Sequence, residues 1–184
     1  MTSSFLNVTK MKNLFRNTSV ALFAISGFIF FLYIAQVLSG THAFFPVGQA
    51  LVAKEFPSPG LSPLFAKPVT YLVLAFVGAC ITGLEAIRQR LTSWTPFSLS
   101  LFGVIAGFFA FVTGYEVLYN AVVWTALIAS TQANPDTLIV AYPYAAYEWN
   151  ITFATKVFSA FFFVSVYAVY FLSKVKSEVK TTLI

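Results

Sequence analysis

The chain has 184 residues, of which 59% are hydrophobic, 18% aromatic and only 9% charged, and its formal net charge is +5. About a quarter of the residues of an ordinary soluble domain are charged, so this composition excludes that class and indicates a membrane protein. The positive charge does not indicate nucleic-acid binding, because the basic residues are not gathered into one solvated domain.

Four apolar segments are long enough to cross a bilayer, whose hydrocarbon core of about 30 Å takes roughly 20 helical residues. They are residues 20–38, 69–86, 97–129 and 151–172. A spanning segment has to satisfy its own backbone hydrogen bonds, so continuous runs of this length predict helices. We therefore predict an all-α integral membrane protein in which residues 1–184 form one antiparallel bundle of four transmembrane helices.

The basic residues predict how the chain is oriented in the membrane. Eight of the eleven flank the same ends of the predicted spans. They are Lys10, Lys12, Arg16, Arg88, Arg90, Lys174, Lys176 and Lys180. The positive-inside rule makes that side the cytoplasm, so both termini are predicted to be cytoplasmic and the protein to be a multi-pass protein of the cytoplasmic membrane. Lys54 and Lys67 fall in the first outer loop, and Lys156 falls within the fourth span.

The first outer loop, residues 39–68, combines five prolines with four phenylalanines. Proline interrupts regular structure, and aromatic side chains favour the membrane interface. We predict a short interfacial helix around residues 48–56, followed by an extended stretch on the bilayer surface.

The turn between the second and third spans is brief and contains Trp94 and Pro96. It predicts an antiparallel hairpin of these two spans, with Trp94 at headgroup level and Pro96 in the first turn of the third helix. The third apolar run has 33 residues (97–129), more than one perpendicular crossing needs, so this helix has to tilt, bend or project beyond the bilayer.

Gly103, Gly107 and Gly114 lie along one stripe of the third span. Small residues at such spacing allow another helix to approach closely, so the stripe is a candidate packing surface. The alternative is that these glycines only reflect the general frequency of glycine in membrane helices.

The second outer loop, residues 130–150, is rich in aromatic residues. Its candidate partner-contact residues are Asp136, Tyr142, Tyr144, Tyr147 and Trp149. The ordinary explanation is an interfacial aromatic belt, and the alternative is recognition of a partner outside the cytoplasm.

Polar residues inside the apolar spans form the candidate site. Glu116 and Asn120 lie one turn apart on the third span, and Lys156 lies near Thr152 on the fourth. A charged residue at the centre of a membrane helix costs about 2.5–3.5 kcal/mol, so it usually faces the protein interior and has a partner. A structural pair that fixes helix register, a proton- or ion-carrying site and a contact with another subunit all remain open. Glu85 is predicted to pair with Arg88 at the inner end of the second span.

The chain offers few ligands of its own for a metal or cofactor. Its only histidine is His42, its only cysteine is Cys80, and its methionines are Met1 and Met11. We therefore predict no metal site and no haem or copper centre built by this chain alone. We assign no catalytic residue. A bound lipid or quinone on the aromatic surface is compatible with this sequence.

These observations favour a non-catalytic integral subunit of a larger prokaryotic membrane complex, archaeal as readily as bacterial, such as a respiratory or other oxidoreductase assembly. Its expected partners are the bilayer and other integral membrane subunits or further copies of itself, and not nucleic acid. The competing hypothesis is a small homo-oligomeric transporter or channel that uses Glu116, Asn120 and Lys156. A quinone- or lipid-binding module is the third.

Overall fold

The computed structural model describes residues 2–39, 67–131 and 151–182, and these segments form four helices. They are α1 (Thr2–Ser39), α2 (Pro68–Leu91), α3 (Pro96–Thr131) and α4 (Ile151–Thr182). Each contains a stretch long and apolar enough to cross a membrane, and none of the described residues forms a strand. The prediction of an all-helical protein with four potential spans is confirmed. The predicted interfacial helix near residues 48–56 lies outside the described residues.

The turn between α2 and α3 is closed by local hydrogen bonds. Thr95 precedes Pro96, the first residue of α3, and its hydroxyl accepts a hydrogen bond from the Ser98 backbone N–H at 3.2 Å. This N-cap satisfies one of the amides that a helix start leaves without a partner, and Pro96 lacks an N–H that would need one. The predicted position of Pro96 in the first turn of the third helix is confirmed. Trp94, 38% exposed, packs against Phe102 with ring centroids 5.2 Å apart.

Helices α1 and α2 pack along a seam of small residues. The Ser19 hydroxyl donates a hydrogen bond to the Ala79 carbonyl at 2.8 Å, and the Ser26 hydroxyl donates a longer one to the Leu72 carbonyl at 3.4 Å. Residues later in α1 thus meet residues earlier in α2, so the two helices run antiparallel. The Ala79 carbonyl already accepts a hydrogen bond within α2. Ser19 can still reach this carbonyl because Gly83, one turn further along α2, has no side chain to cover it.

Helix α4 packs against both α2 and α3. It runs parallel to α2, because Val69 meets Phe153 near the start of both helices while Arg88 meets Glu178 near their ends. It runs antiparallel to α3. At the end where α2 finishes and α3 begins, all three helices share an apolar cluster made of Leu91, Leu99, Phe171, Leu172 and Val175.

The second and third spans are joined by a short turn, as predicted, but they are not each other's main packing partners. Although the turn that joins them is short, α2 makes its most extensive contacts with α1, and α3 makes its own with α4. The small residues Ser19 and Gly83 favour the first pairing, and Gly107 and Gly114 favour the second, because each allows a close helix approach.

The helix directions bring one set of chain ends together. The beginnings of α1 and α3 lie at the same end of the molecule as the ends of α2 and α4, and we call this the basic end. It holds Lys10, Lys12, Arg16, Arg88, Arg90, Lys174, Lys176 and Lys180. We call the opposite end, where α2 and α4 begin, the far end. Many large apolar side chains between the two ends are exposed, as expected for a surface that contacts lipid.

Candidate functional site

The register of α3 against α4 fixes the depths of the predicted site residues. A Cβ placed on Gly107 would lie 3.9 Å from Val169, and one placed on Gly114 would lie 3.0 Å from Phe162. The two helices are therefore antiparallel and in register, so that moving one residue forward along α3 corresponds to moving one residue toward the start of α4. Continuing this register puts Asn120 level with Lys156. Glu116 lies one turn deeper, a difference of about 6 Å at 1.5 Å per residue.

Glu116 and Asn120 are both half-buried on α3. Within the described parts of the chain, neither side chain has a hydrogen-bond or ion-pair partner. Their neighbours Tyr115 and Tyr119 are exposed, and the two rings stack with centroids 6.3 Å apart. The structure thus places a carboxylate and an amide next to an exposed aromatic surface midway along a membrane helix.

Lys156 is half-buried and turns toward α2 rather than toward Glu116. Its ammonium donates a hydrogen bond to the Thr70 hydroxyl at 3.1 Å. In the described ranges, Lys156 and Glu116 form no ion pair. The helix includes Thr152, but its side chain lies outside the described residues. The structure therefore brings Lys156 to α2, leaves Glu116 on α3, and does not join the predicted set into one contact network.

The three glycines of the predicted packing stripe differ in their surroundings. Gly114 lies against the Phe162 ring, and Gly107 lies near Val169. A Cβ on Gly103 would meet no atom within 4 Å. Close approach of α4 therefore involves the two later glycines of the stripe. The predicted outer-loop contact residues, Asp136, Tyr142, Tyr144, Tyr147 and Trp149, lie outside the described residues.

A charged cluster at the basic end joins α2 to α4. Arg88 contacts Glu85 at 3.2 Å within α2 and binds Glu178 of α4 through two of its guanidinium nitrogens, at 2.5 and 3.4 Å. The Tyr167 hydroxyl donates to the other oxygen of Glu85 at 2.7 Å. The guanidinium also lies 5.9 Å from the centre of the Phe171 ring, a cation–π distance.

Sequence reasoning found only part of this cluster. The Glu85–Arg88 pair is confirmed, but Tyr167 and Glu178 were not predicted to join it. A signal existed, because Glu178 stands among the lysines that follow the fourth span and therefore at the same end as Arg88. No pattern in the sequence indicates the helix rotation that brings these side chains together.

An apolar cavity of about 390 Å³ lies beside Gly114 and opens onto the surface of α3. It is lined by Ala110, Phe111, Gly114, Tyr115, Val117, Leu118 and Phe162. Its lining suits a hydrocarbon chain and offers little to a polar ligand.

Within residues 2–39, 67–131 and 151–182, no three His, Cys, Asp or Glu side chains lie close enough to share a metal ion. His42 lies outside these ranges, so the absence of a metal site stays a prediction.

Comparisons with protein-family models, with curated proteins and with solved structures give no match to this chain. What is shown is therefore the architecture: a multi-pass membrane protein with four candidate membrane-spanning helices.

Proposed function

We propose that this chain is a non-catalytic subunit of a larger prokaryotic membrane complex and that α3 contacts another integral membrane protein. A respiratory or other oxidoreductase assembly fits this role. The observation that carries the proposal is Glu116, a half-buried carboxylate midway along α3 that has no partner within the described residues. Leaving such a group against lipid is costly, so a polar group from a neighbouring protein is its natural partner.

Asn120 and the tyrosine pair support the same surface. Asn120 lies one turn from Glu116, and an amide can hydrogen-bond across a helix interface. Tyr115 and Tyr119 are 59% and 55% exposed beside them, and aromatic residues are enriched in the cores of protein interfaces. The proposed contact surface therefore consists of Tyr115, Glu116, Tyr119 and Asn120.

The proposal also includes an orientation. The basic end faces the cytoplasm, because lysine and arginine in short flanking segments are retained on that side. Both termini are then cytoplasmic, and the membrane is the cytoplasmic membrane of a prokaryote.

The experiment is gentle detergent extraction from the native membrane, followed by a native gel and mass spectrometry of proteins that co-migrate. The test variant is Glu116→Leu, which removes a polar group and does not oppose insertion of α3. The matched control is Thr125→Leu on the same helix, because the Thr125 hydroxyl already donates to the Ala121 carbonyl at 2.8 Å.

We expect the wild type and Thr125→Leu to retain a different membrane protein in a fixed ratio and Glu116→Leu to lose it. A wild-type chain that runs alone as a monomer would overturn the proposal. So would a partner that Glu116→Leu retains undiminished, because the contact surface would then lie elsewhere.

Transport is the second candidate, favoured by the similar depth of Asn120 and Lys156 with Glu116 one turn deeper. It requires a homo-oligomer on the native gel and a pH-dependent flux in liposomes that Glu116→Gln abolishes. A flux unchanged by Glu116→Gln excludes this mechanism. A third role, binding of a quinone or lipid tail, is supported only by the apolar cavity beside Gly114.

A further inference from the structure

We propose that the seam between α1 and α2 binds the headgroup of an anionic lipid at the basic end, through Lys12 of α1 and Arg90 of α2. Both residues continue the seam of small residues at which these helices pack. Lys12 lies seven residues before Ser19, and Arg90 lies seven residues after Gly83. Seven residues are close to two full turns of a helix, so each cation lies on the same face of its helix as the small residue seven positions away.

The contact between Ser19 and Gly83 fixes the depth of the two cations. The Ser19 hydroxyl oxygen lies 3.1 Å from a Cβ placed on Gly83, so these residues face each other across the seam. Because the helices are antiparallel, seven residues backward along α1 and seven residues forward along α2 both lead about 10.5 Å toward the basic end. The register therefore places the backbones of Lys12 and Arg90 at the same level of one seam, where their long side chains can reach the same ligand.

The carboxylates of the basic end lie on another side of α2. Among the described residues there, they are Glu85 and Glu178, and both bind Arg88. Arg90 follows Arg88 by two residues, which turns it by about 200° around the helix axis and away from these carboxylates. Within the described ranges, neither Lys12 nor Arg90 forms an ion pair. The seam thus carries two positive charges on its two sides, and an anion between them is favoured by its attraction to both.

The position of the seam in the membrane indicates the chemistry of the anion. The candidate span of α1 begins at Lys10, and that of α2 ends at Leu91. Lys12 and Arg90 therefore lie at the edge of the apolar region, beside the layer of lipid headgroups. Basic residues that flank a membrane helix attract anionic lipids, and the exposed Lys10 and Arg16 add to this attraction. Arginine binds a phosphate through two parallel hydrogen bonds and lysine binds it as a point charge, so the ligand is an anionic phospholipid.

The test is native mass spectrometry of the full chain released from nanodiscs of neutral phosphatidylcholine that contain one-tenth phosphatidylglycerol. Lys12→Gln and Arg90→Gln remove the two charges singly and together, and Lys12→Arg combined with Arg90→Lys keeps both. The matched control is Lys174→Gln, which removes an exposed lysine of α4 at the same end. A nanodisc presents the same lipids to both ends of the chain, so the result does not depend on orientation or on a protein partner of Glu116.

We expect the wild type to retain one phosphatidylglycerol per chain in preference to phosphatidylcholine. The affinity should fall about fivefold in each single Gln variant and further in the double variant, because each basic residue adds to the attraction. It should stay near the wild-type value in Lys174→Gln and in the variant that keeps both charges.

Three outcomes would overturn the proposal. The first is equal retention of the two lipids by the wild type. The second is a loss in Lys174→Gln as large as in the single variants of the seam, because the ligand would then respond only to the total charge of the basic end. The third is a loss in the charge-keeping variant as large as in the double Gln variant, because charge on the seam would then not decide binding.

Discussion

Arg88 is the residue that ties α2 to α4 by charge, and its removal is the first test of this connection. Its side chain is 26% exposed and that of Glu178 is 44% exposed, so water weakens their attraction. For Arg88→Gln we expect a loss of about 1 kcal/mol, which lowers the melting temperature by roughly 2–4 °C in detergent. Arg90→Gln is the control, because Arg90 is exposed and forms no ion pair with the described residues. An equal loss in the control would show that only net charge matters.

A second prediction at the scale of single residues compares two glycines of one stripe. A methyl group added at Gly114 would lie 3.0 Å from the Phe162 ring, whereas one added at Gly103 would meet no atom within 4 Å. Gly114→Ala should therefore destabilise the packing of α3 on α4 by about 1–3 kcal/mol. Gly103→Ala should be neutral or stabilise by up to about 1 kcal/mol, because alanine favours helix. Thermal unfolding of both variants in the same detergent tests the difference, and equal melting temperatures would contradict the close contact at Gly114.

At the scale of helices, the pairing of α1 with α2 and of α3 with α4 can be tested by disulfide formation in a Cys80→Ser background. The Ser19 hydroxyl oxygen lies 3.1 Å from a Cβ placed on Gly83, so Ser19→Cys with Gly83→Cys should cross-link readily on oxidation. Gly107→Cys with Val169→Cys should do so for α3 and α4. The control is Ser19→Cys with Gly107→Cys. These positions lie at similar depth, but on α1 and α3, which pack mainly against α2 and α4 and not against each other. Cross-linking of the control as efficient as that of the test pairs would contradict this arrangement.

The helices themselves could be predicted from the sequence, but their contacts could not. Hydropathy located all four, since a long apolar run in a membrane has no other way to satisfy its backbone. The predicted spans are shorter than the helices, because polar residues extend a helix beyond its apolar run: α1 begins at Thr2 and α4 continues to Thr182. Which way Lys156 points depends on the rotation of α4. A helix that is apolar on most sides carries little information about rotation, so the contact with Thr70 was missed.

For the molecule as a whole, the charges at its two ends bear on which end faces the cytoplasm. The helix directions place Lys10, Arg88 and Lys174 at one end, so their charges act together. Moving one charge across the membrane against a potential of 100 mV costs about 2.3 kcal/mol, and this cost favours the proposed orientation, in which the end with more basic residues faces the cytoplasm. The far end carries Lys67 and Lys156 among its described residues, too few to reverse this preference.

The proposed orientation predicts the labelling of single cysteines by a membrane-impermeant maleimide. In a Cys80→Ser background, Ser130→Cys at the far end should react in intact cells, whereas Ser93→Cys at the basic end should react only after the membrane is opened. Both positions are exposed, so accessibility within the protein does not limit either reaction. The reverse pattern would place the basic end outside and would mean that the positive-inside rule does not decide this topology. Equal labelling in intact cells would contradict a chain that spans the membrane, because the two positions lie at opposite ends of α3, a helix of 36 residues and about 54 Å.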